Sequence, residues 1–197
     1  MNIKSDLDAA IGANRILDHP FYRSWNQGTL PLPALASYAR EYGAFIDKVA
    51  EGWEACDWPE HADEERYHSE LWQQFARALG TEIGQPEIAQ VKSLIDACDR
   101  LFADADTAWG ALYAFEAQQP ETAATKLMGL EEHYSLPDEA KTYFEVHADD
   151  LYEAEAIVDH LEQANPDQQA KAVAACRDMS VALWDALTGV YEPFALN

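Results

Sequence analysis

The chain has 197 residues, enough for one large domain with a substantial core, and it is 48% hydrophobic and 11% aromatic, so it reads as globular and not disordered. Its net charge of −23 repels phosphate backbones and anionic bilayers, which argues against nucleic-acid and lipid-surface roles. Three widely spaced cysteines, Cys56, Cys98 and Cys176, form no CxxC pair and signal neither a disulfide framework nor a zinc knuckle; each is expected to be a small buried hydrophobe.

The N-terminal stretch MNIKSDLDAAIGANRI lacks a charged region followed by an apolar run, and no stretch is long and apolar enough to span a bilayer, so a cytoplasmic protein is expected. Ser5 is placed to cap a first helix running through Leu7 and Ile11 to about Leu17, where His19-Pro20 breaks it. FYRSWNQGTLPLP reads as an aromatic turn segment. Pro33 opens a long helix with Tyr38, Tyr42, Phe45 and Val49 on one stripe. Further helices are predicted over 60–79, ended by Gly80, over 86–103, and over 106–119, stopped by Pro120. One more carries Lys126, Leu127 and Leu130. Asp138 is placed to cap a helix that carries His147 and continues to about Leu161, and Asn165-Pro166 opens the last. With no alternating β-branched run, repeat or linker, the sequence predicts a single all-α bundle of about eight helices over 1–197.

Several polar groups fall on predicted core faces. His61, Glu65, His68 and Trp72 share one stripe at i, i+4, i+7 and i+11, offsets at which histidine and glutamate can bind one metal. In WGALYAFE, Glu116 shares a face with Trp109 and Tyr113, and a carboxylate among aromatics needs a partner or a metal. At about 100° per residue, Leu151, Ala154 and Val158 lie within roughly 40° of His147, Asp150 lies about 60° off, and Asp149 and Glu153 point away. Two carboxylates and two or three histidines from three helices match the inventory of a bundle di-metal site. Each also has an ordinary reading: a hydrogen-bonded core histidine, an exposed His61, a Glu116 bonded to tyrosine or lysine, and tyrosines that only pack.

Four stretches carry a resemblance: HPFYRSWNQGTLPLPALASYAREY (19–42), HSELWQQFARALG (68–80), LYAFEAQQPETAATKLMGL (112–130) and YFEVHADDLYEAEA (143–156). In order and in content they resemble the heme-oxygenase-like superfamily, in the branch of the CADD-type proteins and the pyrroloquinoline-quinone synthesis oxidase, with the TenA thiaminases more distant. The resemblance implies a heme-oxygenase-like α-bundle, often a homodimer, and O2-dependent chemistry at non-heme metal, one or two ions of Fe or Mn, without heme. The implied ligands are His68, Glu116 and His147. The family pattern departs at Leu151 and Ala154, which stand where an Asp and a second His are expected, and at His61, which stands where a Glu is expected. Glu65 and Asp150 are candidate replacements.

CADD-type proteins are also thought to build p-aminobenzoate from one of their own tyrosines with a nearby lysine. Tyr22 and Lys126 occupy those positions, and with Tyr38 they are the candidate catalytic residues. The expected partners are O2 and a small aromatic or amine-bearing molecule. Two other readings stand beside this one: a metal-free oxidase in which histidine, tyrosine and lysine shuttle protons, and a non-enzymatic binding protein. The thiaminase chemistry requires a cysteine nucleophile in the helix that reads ALYAFEAQQ, which has none.

Overall fold

The structure, a computed structural model, describes residues 2–148 and 152–195. Among these residues it is all α-helix with short 3-10 turns and no strand. The helices are α1 (Ile3–Ile11), α2 (Pro20–Asn26), α3 (Leu32–Ala55), α4 (Pro59–Ala78), α5 (Ala89–Leu101), α6 (Ala105–Glu116), α7 (Gln119–His133), α8 (Thr142–His147), α9 (Tyr152–Glu162) and α10 (Pro166–Tyr191). None is long and apolar enough to cross a membrane.

Helix boundaries differ from the sequence expectation where proline or glycine has a different effect. Helix α1 stops at Ile11, because Gly12 takes a positive φ of 36° and turns the chain; Asn2, not Ser5, caps it, accepting from the Ser5 N–H. His19-Pro20 begins a helix instead of only ending one. His19 Nδ1 accepts from the Phe21 N–H and Pro20 takes the first turn, where its missing N–H costs nothing, so the aromatic segment is the helix α2. Pro120 likewise sits in the first turn of α7. Asn165 caps α10 as expected, in a reciprocal capping box with Gln168. Asp138 lies in a separate 3-10 turn, and among the described residues the helix expected from there to Leu161 is seen as α8, which carries His147, and α9 from Tyr152.

Two long helices organise the rest. Helix α10 lies against α6, α5 and α1, and α3 lies against α4, α5 and α6. The core is filled by large rings; Trp25, Trp53, Trp72, Tyr22, Tyr38 and Tyr143 are all fully buried. The cysteines are buried and unpaired, as expected. The crossing of α6 and α10 is tight enough that a Cβ on Gly110 would stand 1.8 Å from the Ala172 carbonyl oxygen. That contact is with backbone and cannot be relieved by a rotamer change. Gly110→Ala should therefore lower stability by about 1–3 kcal/mol through overpacking, read as a fall in the urea midpoint.

Candidate metal centre

Helix α4 turns the stripe predicted from its sequence inward, and His61, Glu65, His68 and Trp72 are all buried. Helix α8 brings His147 to the same place. His68 Nδ1 lies 3.0 Å from Glu65 Oε1, and His147 Nε2 lies 3.1 Å from His68 Nδ1. One ligand atom from each of Glu65, His68 and His147 falls within 4.8 Å of the other two.

The protonation of this triad follows from its partners. His147 Nδ1 is 2.6 Å from the Tyr143 carbonyl oxygen, which can only accept, so Nδ1 carries the proton and Nε2 presents a lone pair. Burial, reinforced by the nearby His68, lowers the His147 pKa to about 3, so the ring stays neutral. At His68 burial works against the charged form, but the Glu65 carboxylate outweighs it and the pKa rises. The His68 Nδ1 proton is therefore shared between a carboxylate and an imidazole lone pair. A metal cation is a stronger claimant for converging donors of this kind. Two neutral imidazoles and one carboxylate suit non-heme Fe(II), and a histidine locked by its second nitrogen to a backbone carbonyl is the usual support of a metal ligand. The residues fit such an ion.

Rings connect this triad to a second buried cluster. Tyr143 packs 4.2 Å from His147, Trp72 packs 4.8 Å from Tyr143, and Tyr38 packs 5.4 Å from Trp72. The Tyr38 hydroxyl lies 3.2 Å from that of Tyr22. Lys126 Nζ sits among these rings, 5.4 Å from the centroids of Tyr22 and Tyr38, 5.6 Å from Trp72 and 5.3 Å from Phe144. Burial depresses its pKa to about 7 and raises that of Tyr22.

A family model described as "iron-containing redox enzyme" matches residues 58–185, a span that holds all three triad residues. The chain belongs to this family. A 4-aminobenzoate synthase of Nitrosomonas europaea is 28% identical over 98% of this chain and 93% of its own length, and one of Chlamydia muridarum is 30% identical over 98% and 92%. Among solved structures, a TenA homologue from P. horikoshii OT3 matches with a TM-score of 0.79 at 13% identity, covering 98% of this chain and 99% of its own. A CADD-like protein from Nostoc punctiforme matches with a TM-score of 0.70 at 17% identity, covering 97% and 96%. These two show the fold.

Within this iron-containing redox enzyme fold the expected site residues divide. Glu65, His68 and His147 converge. Glu116 is buried and close enough for its charge to act, with that of Glu65, on the Tyr143 hydroxyl, but it is not in the triad. His61 is buried instead of exposed and also stands outside the triad; among the described residues its buried Nε2 has no hydrogen-bond partner. Asp150 and Leu151 lie outside the described residues. Glu153 corrects the expectation that it faces water: it is buried on the first turn of α9, and its charge helps to raise the His68 pKa.

The Lys126 amine predicts its own pH signature. Its pKa of about 7 in the fold lies below the ordinary 10.5, so between the two the unfolded chain binds more protons and stability rises with pH. The cost of burying it is complete below about pH 7. Lys126→Met should raise the urea midpoint at pH 6 by more than at pH 10; an equal gain at both would show the amine to be ordinarily charged.

Proposed function

We propose that this protein is an O2-dependent non-heme iron oxidase that forms p-aminobenzoate, with its own Tyr22 as the source of the ring and Lys126 as the amine donor. The observation that carries the reading is the continuous set of ring contacts from the Glu65–His68–His147 triad through Tyr143, Trp72 and Tyr38 to Tyr22 beside Lys126. The relatives named 4-aminobenzoate synthase, matched over nearly the whole chain, support the product.

Glu65, His68 and His147 would hold the iron, and Glu116, His61 and Glu153 are the buried groups nearby that could add a ligand to it. Bound iron supplies the power to activate O2. The chain does the rest. His147 keeps its lone pair aimed at the site through the Tyr143 carbonyl. The aromatic surroundings exclude water, and both Tyr22 and Lys126 are buried, as suits a substrate that belongs to the protein and needs no entrance. Tyr38 holds the Tyr22 hydroxyl. Lys126, its pKa near 7, is substantially neutral at neutral pH, so its nitrogen keeps the lone pair that attack on carbon requires.

The test loads the protein with Fe(II), and in parallel with Mn(II), without oxygen, desalts it, measures metal per chain, and then adds O2 with a reductant. Iron should bind, and Glu65→Ala and His147→Ala should lose most of it. Free p-aminobenzoate should appear with the parent, at a yield that rises as pH rises through about 7 and the Lys126 amine loses its proton. Tyr22→Phe and Lys126→Arg should abolish product, and a tryptic peptide map of the spent parent should show residue 22 altered. No bound metal in the parent, or product from Tyr22→Phe, would overturn the reading.

A further inference from the structure

A second file of rings starts at His61, one turn from Glu65 and outside the triad, and ends in solvent. His61 lies one turn before Glu65 on the same face of α4. Its ring meets Trp53 edge-on at 4.7 Å and Trp58 edge-on at 4.9 Å. Trp53 and Trp58 are stacked, 5.7 Å apart and 12° from parallel. Trp109 touches both, at 6.1 and 5.1 Å, and is itself stacked on the exposed His160 at 4.0 Å. Trp58 is half-buried and lines two surface clefts with Tyr152, one of them lined also by His61 and the other by His160.

One atom sets this cluster apart from ordinary packing. Trp53 is fully buried, and among the described residues its Nε1 has no hydrogen-bond partner. A buried indole N–H normally finds an acceptor, and leaving it without one costs about 1–3 kcal/mol, which a phenylalanine would avoid. Three of the six tryptophans of the chain are nonetheless placed here. An oxidised indole readily loses its N–H proton where an acceptor waits. Without an acceptor it keeps the proton and remains a cation radical, which exchanges an electron with the next ring without any proton having to move. Asp57, Glu60, Glu155 and Asp159 around the clefts lower the energy of a positive charge on the outer rings.

We propose that Trp53, Trp58 and Trp109 form a one-electron pathway between the candidate metal centre and the surface, with Trp58 as its outer terminal. This rests on the O2-using reading of the centre. The oxidant derived from O2 takes one electron from Trp53, which becomes a cation radical. Trp58, directly or through Trp109, returns an electron to Trp53. A small one-electron donor in solution, such as ascorbate, restores Trp58 and is itself oxidised by one electron. Each electron lost by the donor is gained by the oxidant, and the indoles end as they began. The pathway supplies electrons from solvent by a route that does not pass through Tyr22 or Lys126.

The test follows the indole radical, not the product. Iron-loaded protein is mixed with limiting O2 and freeze-quenched with and without ascorbate, and radicals are read by electron paramagnetic resonance. The parent should show a tryptophan radical that ascorbate removes. Trp58→Phe should keep its iron but lose the radical to ascorbate at least about tenfold more slowly, and Trp53→Phe should bind iron and show no indole radical, with Trp184→Phe as the unaffected control. Circular dichroism and iron content establish that each variant is folded. An iron-loaded parent without an indole radical, or an unchanged ascorbate dependence in Trp58→Phe, overturns the pathway and leaves the oxidase reading standing. A parent that binds no iron overturns the oxidase reading instead. The pathway is then decided on metal-free protein by flash oxidation with a photo-oxidised ruthenium tris-bipyridine complex: a tryptophan cation radical that weakens in Trp58→Phe supports it, and equal yields overturn it.

Discussion

Burying a carboxylate and two imidazoles in an aromatic core is costly, and the interior of this protein is arranged around that cost. Glu65, His68 and His147 meet it among themselves, sharing one proton across bonds of 3.0 and 3.1 Å, and the Tyr143 carbonyl fixes which nitrogen of His147 is free. Without the Tyr143 contact His147 could turn either nitrogen inward. Without Glu65 the pair of rings would hold no charge that favours a cation. The site is preorganised because each polar atom has one satisfactory orientation.

The aromatic rings around the triad do more than fill volume. On one side they lead to Tyr22 and to an amine whose charge is suppressed by burial among four ring faces. Ring faces attract a cation, which argues for a charged Lys126, but the loss of hydration on complete burial is the larger effect and sets the direction of the shift. On another side the rings approach the surface through indoles. Both files include rings of α3, so the packing that stabilises the bundle also fixes the spacing of these rings.

The outside of the molecule follows a different rule. A net charge of −23 concerns solubility and partner choice, while the ionisable groups of the triad are buried and bonded to one another. The acids of α9 belong to both regimes. Glu155 and Asp159 are exposed, whereas Glu153, in the same helix, is buried beside the triad.

Helical periodicity in the sequence determined that His61, Glu65, His68 and Trp72 share a buried face of α4, that Glu116 and His147 turn inward, and that the chain is an all-α bundle. The motifs around Tyr22 and Lys126 determined the family. Periodicity assigns a face within one helix and is silent on distance between helices, so it could not separate Glu65, which joins the triad, from His61, which packs against indoles one turn away. Nor could it place Glu153, whose burial depends on how α9 packs against the rest of the bundle and not on its angle from His147. The contact of His147 with His68 joins residues 79 apart in sequence and exists only once α8 is laid against α4. Which inward-facing groups become one site is decided by that packing.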